Sequence, residues 1–162
     1  MTKLHIGCGS TKLKDYVNID IKKTRATDRV LSCLDLPSYY DPNSIDEIYS
    51  CHMIEHMTKR DGENFLSICS QLLTTGGVLR LEFPGVDRIL SYGSKMPVPE
   101  QELINNLYGM QRDSYDHHQY GYTKKTMTAL LERNSFFNLE WSEGRTGYGN
   151  SWNGWKVKGV RV

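Results

Sequence analysis

The stretch "LHIGCGSTKLKDYVNIDI", residues 4–21, constrains the fold more than any other part of the chain. It reads as a strand, a glycine turn, a short polar connection and a second strand that ends in Asp20. Parallel neighbours are normally joined by a crossover of a dozen or more residues, most often a helix. Only residues 7–16 separate the two apolar runs here, so no helix fits between them. The chain must either cross over by a short loop or turn back tightly.

The rest of the pattern favours the crossover. Further apolar runs at residues 29–33, 45–51 and 78–83 read as strands, as does the first at 3–8. Residues 61–73 carry Phe65, Leu66, Ile68, Cys69, Leu72 and Leu73 on one helical face, and Thr75-Gly76-Gly77 is expected to stop that helix. Pro84-Gly85 ends the strand that follows. A helix is expected over 97–111, starting near Pro99-Glu100 and carrying Leu103, Ile104, Leu107 and Tyr108. Another is expected over 123–134, with Thr123 as its N-cap and Met127, Leu130 and Leu131 facing inward. Two last strands, 136–141 and 155–162, are joined by the Gly/Asn-rich 143–154 as a long hairpin. The expected fold is α/β: a doubly wound, mostly parallel sheet with a C-terminal antiparallel hairpin and the first helix replaced by a loop. With 162 residues and no internal repeat or low-complexity linker, residues 1–162 are expected to form one domain.

Composition narrows the partners. A net charge of +1 exerts no general pull on nucleic acid or anionic membrane, so neither is an expected partner. The longest apolar runs are too short to span a bilayer, and no charged-then-apolar leader is visible. Cys8, Cys33, Cys51 and Cys69 form no CxxC pair and read as buried free thiols of a reducing compartment, the cytoplasm.

In a doubly wound sheet, ligands sit beyond the carboxyl ends of the strands. Gly7, Gly9, Asp20, Asp35, His52 and Pro84 all fall there. Gly7 and Gly9 let the backbone turn and approach a ligand closely. The dinucleotide pattern G-x-G-x-x-G fails, because Lys12 stands at the third glycine. Asp20 also follows Gly9 by eleven residues, too soon for the acid of that fingerprint. NAD is thereby disfavoured, and on this stretch alone a plain turn reads as well as a ligand loop.

The stretch "CLDLPSYYDPNSIDEIYSCHMIEHM" resembles the middle of class I S-adenosylmethionine-dependent methyltransferases. That family has an acid after its third strand, a Pro-containing loop into S-x-D-x-I, and H-x-x-E-H after its fourth. "LLTTGGVLRLEFPG" is similar to the family's next helix, glycine turn and strand. "YGMQRDSYDHHQYGYTKKTMTALLERNSFFNLEW" resembles, more narrowly, small methyltransferases found beside glycan-assembly genes, in which the first helix is a loop. Thr11 departs from a third glycine the family often carries, and "NSFF" from its usual Gly-Phe.

The resemblance implies S-adenosyl-L-methionine as cofactor, with a glycan or other small-molecule acceptor. It implies that Gly7, Cys8 and Gly9 pass beneath the methionine and ribose, and that Asp20, beside Ile21, accepts from the ribose hydroxyls. Asp35 would accept from the adenine amino group, with Leu36 near the ring. His52 would lie near the sulfonium, touching cofactor or acceptor. His118, at the H-x-x-G position, is favoured over His117 as the base that receives the acceptor's proton. Glu55 and His56 read as mainly structural, Glu55 bonding backbone donors at a loop. The spacing H-x-x-E-H also occurs in zinc proteases, but that site needs a helix and a third ligand downstream; no metal is expected. Tyr115, Tyr120, Tyr122, Tyr148, Trp152 and Trp155 could form a platform for a sugar, or serve as ordinary packing. A catalytically idle cofactor-binding module that regulates a protein partner stays open as the alternative.

Overall fold

In the computed structural model, residues 1–93, 100–144 and 154–162 are described. Seven strands form one sheet: β1 (Lys3–Ile6), β2 (Val17–Asp20), β3 (Arg29–Val30), β4 (Ile45–Cys51), β5 (Leu73–Pro84), β6 (Phe136–Gly144) and β7 (Gly154–Arg161). Their order is β3-β2-β1-β4-β5-β7-β6. The first five run parallel, β7 lies antiparallel to β5, and β6 pairs antiparallel with β7. This is the expected doubly wound sheet with a reversed C-terminal pair. The connection at 145–153 lies outside the described residues.

Among the described residues four α-helices accompany the sheet: α1 (Lys59–Leu72), α2 (Val86–Gly93), α3 (Glu100–Tyr108) and α4 (Lys124–Arg133). The inward stripe of α1 is buried at Phe65, Leu66, Ile68, Cys69 and Leu72. It meets Leu4, Ile6, Ile48, Leu79 and Leu81 of the sheet and Met127 and Leu131 of α4 in one core. Thr123 caps α4 in a reciprocal capping box with Thr126. Residues 97–99 of the helix expected over 97–111 lie outside the described residues.

The opening stretch is a loop crossover, and its backbone is held by a buried side chain. Asn18 of β2 is fully buried. Its Oδ1 accepts from the Leu13 amide at 2.9 Å, and its Nδ2 donates to the carbonyls of Leu13 and Tyr16 at 3.1 and 3.0 Å. A helix satisfies its own backbone, whereas a loop laid on a sheet must find partners outside itself. One asparagine amide supplies them. Tyr16 adds a hydrogen bond from its hydroxyl to Glu47 of β4 at 2.8 Å.

Four local differences from the sequence reading have physical causes. The third strand ends at Val30, not at Cys33, because Ser32 caps a 3-10 helix over Cys33–Ser38. The helix α1 ends at Leu72, before the glycine pair, because Leu73 already pairs with Ile45 of β4. Gly76, at φ 82°, lies in the bulge where the register of that ladder shifts. The helix α2 was not anticipated, although Val86, Ile89 and Leu90 carry its spacing. All four cysteines are free, with Cys8, Cys33 and Cys69 buried and Cys51 half-buried. Among the described residues, no helix is long and apolar enough to cross a membrane.

Candidate active site

The carboxyl ends of β1, β2, β4 and β5 open into one cleft of about 1020 Å³. Clefts that hold small ligands commonly measure about 300–1,000 Å³, so this one stands at the upper end of that range. Its near end is built by the glycine turn. Gly7 and Gly9 sit at φ 69° and 53°, a region that L side chains rarely adopt. A Cβ on Gly7 would come within 2.5 Å of Met53 Cγ, whereas one on Gly9 would meet nothing within 4 Å. The backbone at Gly9 therefore faces open space in the cleft. Asp20 fastens this turn: its Oδ2 accepts from the Gly9 amide at 2.7 Å and its Oδ1 from the Lys22 amide at 2.8 Å. The Thr24 hydroxyl holds the Gly9 carbonyl at 2.6 Å. Cys8 is buried, and burial raises its thiol pKa; with Ile21, 47% exposed, it lines the same wall.

Asp35 and Leu36 depart from the expected arrangement. Neither lines the cleft; Ser32, Cys33 and Leu34 do. The cause is the 3-10 helix, whose three-residue period puts Cys33 and Leu36 on one face. That face is buried, with Leu36 fully inside the core, while Asp35 points to solvent. Leu34 is the residue left facing the ligand space.

The far end is built by the turn after β4 and the loop after α3. Three histidines and a glutamate meet there. His52 adopts φ 51° and presents Nδ1 to Glu55 Oε1 at 3.1 Å. Glu55 is 2% exposed, and its second oxygen, Oε2, has no hydrogen-bond partner among the described residues. Glu55 thus contacts a histidine, not the backbone donors expected of it. Its backbone carbonyl accepts from the amides of Gln119 and Tyr120 at 2.8 and 3.3 Å, which bolts the later loop onto this turn. His56 Nδ1 bonds the His117 carbonyl at 3.1 Å, and His118 Nδ1 bonds the Asn106 carbonyl at 3.1 Å. The two rings meet edge to face with centroids 4.9 Å apart. Gly109, at φ 77°, makes this packing possible, since a Cβ there would lie 2.4 Å from the Asp116 carbonyl oxygen.

Electrostatics separates the partners. Burial pushes the Glu55 carboxyl up, but the His52 hydrogen bond and the charges of His52, His56 and His118 outweigh it and hold it below its usual range. Burial lowers His118. His118, His52, His56 and Glu55 line the cleft; the His117 side chain does not, because that residue is used through its carbonyl. Asp116 is likewise structural: the Arg112 guanidinium grips its carboxylate from Nε and Nη2 and holds its pKa down. At the mouth, Lys22 Nζ reaches Asp113 at 2.6 Å and lies 4.7 Å from the Tyr115 ring centroid. Of the aromatic platform, Tyr115 alone of the described members lines the cleft. Tyr122 is buried in the core and Trp155 packs on Trp141, while Tyr148 and Trp152 lie outside the described residues.

No protein-family model matches the sequence, and no curated protein sequence matches it. Solved structures do match. A methyltransferase dependent on S-adenosylmethionine from Archaeoglobus fulgidus superposes with a TM-score of 0.69 at 12% identity, over 99% of this chain and 86% of that one. One from Methanosarcina mazei gives 0.66 at 17% identity, over 99% and 92%. The chain has the S-adenosylmethionine-dependent methyltransferase fold. A third such structure, from Thermotoga maritima, is named a possible histamine N-methyltransferase and gives 0.65 at 14% identity, over 99% and 82%. The acceptor must be argued from the far end of the cleft.

Proposed function

We propose that this protein is an S-adenosylmethionine-dependent methyltransferase that methylates a hydroxyl of a saccharide or glycan precursor. The observation that carries the proposal is one cleft with a glycine turn and Asp20 at its near end and a histidine–glutamate cluster at its far end. The near end fits the cofactor. Gly9 leaves its backbone open to a ligand, and Ile21 offers an exposed apolar face to the base. Each Asp20 oxygen has accepted one backbone amide and retains a lone pair for a ribose hydroxyl. Leu34 takes the place beside the adenine that the sequence assigns to Leu36.

When bound, the cofactor supplies a methyl group on a positively charged sulfur, a strong leaving group. The chain's own task is to align two substrates and exclude water. A sugar hydroxyl is a poor nucleophile while protonated, so the far end must draw its proton off. His118 is neutral and faces the cleft, and the buried Glu55 carboxylate stabilises positive charge on it. The oxygen–methyl bond forms as the carbon–sulfur bond breaks, the electron pair stays on sulfur, and the proton passes to the histidine cluster. Tyr115 at the mouth gives a sugar ring an aromatic face.

The test is transfer of labelled methyl from S-adenosylmethionine to a panel of nucleotide-activated sugars, oligosaccharides and amines. Label in the sugar fraction supports the proposal. Label in amines alone overturns the acceptor class. Tight cofactor binding with no transfer to any member leaves the idle module acting on a protein partner.

A further inference from the structure

We infer that the buried cluster Glu55–His56–His118 is a binding site for a divalent first-row transition-metal cation. The inference deepens the methyltransferase reading, because the site lies at the acceptor end of the same cleft. It also reverses the expectation of no metal drawn from the sequence. One ligand-type atom from each of the three residues lies within 4.8 Å of the other two. A metal would have to draw them in further, since such cations bind nitrogen and oxygen at about 2.0–2.2 Å.

Two independent features say that the cluster suits a cation. The first is the orientation of the imidazoles. His56 Nδ1 is committed to the His117 carbonyl and His118 Nδ1 to the Asn106 carbonyl. A carbonyl only accepts, so each Nδ1 carries its proton and each Nε2 offers a lone pair. Histidines that ligate metals are held in this way, with the remaining ring N–H on a carbonyl or carboxylate. The second is Glu55. Its Oε1 accepts from His52, while Oε2 is buried and has no partner among the described residues. A buried carboxylate oxygen without a donor is costly, and a cation resolves it.

Two imidazoles and one carboxylate suit manganese, iron, cobalt or zinc better than magnesium or calcium, which favour all-oxygen sets. Three protein ligands leave at least one position for the acceptor or water. The zinc-protease spacing therefore misleads about the ligands. His52, its first histidine, orients Glu55, and the third ligand arrives from the loop after α3. A cation there raises the acidity of an acceptor hydroxyl, and His118 then acts on the proton through the metal instead of directly. The displacement would keep its bond changes, oxygen–methyl formed and carbon–sulfur broken, and the proton would leave to water instead of to the histidine cluster.

The experiment is equilibrium dialysis of the chelator-stripped protein against Mn²⁺, Co²⁺ and Zn²⁺ in turn, with metal content measured per chain. We expect about one equivalent of at least one cation, a visible cobalt spectrum from nitrogen–oxygen ligation, and a raised Tm. Glu55→Gln and His118→Ala should each weaken binding by tenfold or more, at the lower end of the roughly 10–100-fold effects seen even for indirect partners. Cooperative unfolding of each variant, read by circular dichroism, shows that it is folded. Should Glu55→Gln fail to fold, His56→Ala replaces it. Substoichiometric metal for all three cations overturns the inference, as does stoichiometric binding untouched by these variants. Binding of S-adenosylhomocysteine is measured separately. A protein that takes the cation but not the nucleoside keeps this site and loses the methyltransferase reading. The opposite result keeps the methyltransferase and loses the metal.

Discussion

Asp20 has two tasks. It holds the glycine turn through the amides of Gly9 and Lys22, and in the proposed reading it also receives the ribose. Asp20→Ala should therefore weaken S-adenosylhomocysteine binding by about 1.5–3 kcal/mol, the scale of hydrogen bonds to a charged group. Asp20→Asn, which keeps one acceptor, should fall between the two in calorimetry; equal affinity for all three would remove Asp20 from the site. At the other end, His118→Ala should lower kcat by about 10²–10⁴-fold, the range for lost acid–base assistance. Affinity for S-adenosylhomocysteine should hold, since no nucleoside contact is assigned to that loop. His117→Ala should be milder, because His117 is used through its carbonyl. At this scale the sequence was legible where a residue's backbone decides its role. Gly7 and Gly9 carry the positive φ that a glycine turn requires. It misled where a one-residue rotation decides, as with Leu36 inside the core and Leu34 on the cleft. Nothing local distinguishes those two leucines until the 3-10 turn is known.

At the scale of elements, β4 is tied to its neighbours by one half-buried acid. Glu47 pairs with Lys3 of β1 at 3.1 Å and Arg80 of β5 at 2.8 Å, and accepts from Tyr16 of the crossover loop at 2.8 Å. Burial pushes its pKa up, but these three partners together hold it below the ordinary range. A carboxyl depressed in the fold adds stability above its unfolded pKa and loses it as pH falls through the folded value. Glu47→Gln should thus cost about 1 kcal/mol at pH 7. The gap in urea midpoints should close as pH drops below about 4 and toward 2. A gap that persists unchanged at pH 2 would assign the loss to packing. The crossover loop depends on Asn18 in the same way. Asn18→Leu should destabilise by about 2–4 kcal/mol, because it strands backbone groups of Leu13 and Tyr16 under the loop. Denaturant unfolding measures it, and a neutral effect would mean that water replaces the amide. The sequence showed that a helix was absent here but not what replaced it. An isolated asparagine inside an apolar strand was the available signal. The two-residue β3 was beyond sequence reading, since its length is set by the cap at Ser32.

At the scale of the whole molecule, the sheet order follows from patterns readable in the chain: short parallel strands, α1 between β4 and β5, and a reversed final pair. The cluster at the acceptor end was not readable as a unit. Glu55 and His56 come from the turn after β4 and His118 from the loop after α3, and no local spacing links them. Topology brings them together, through backbone hydrogen bonds from Gln119 and Tyr120 to Glu55. A fold shared with structures at 12–17% identity leaves the function to be argued from the residues. In the proposed function the near end of the cleft holds S-adenosylmethionine. It is tested most directly by calorimetric titration of the intact protein with S-adenosylhomocysteine and, separately, with NAD. One site per chain is expected for S-adenosylhomocysteine with a Kd in the micromolar range, about −8 kcal/mol, and no measurable heat with NAD. Binding of NAD in preference to S-adenosylhomocysteine, or of neither, would contradict it.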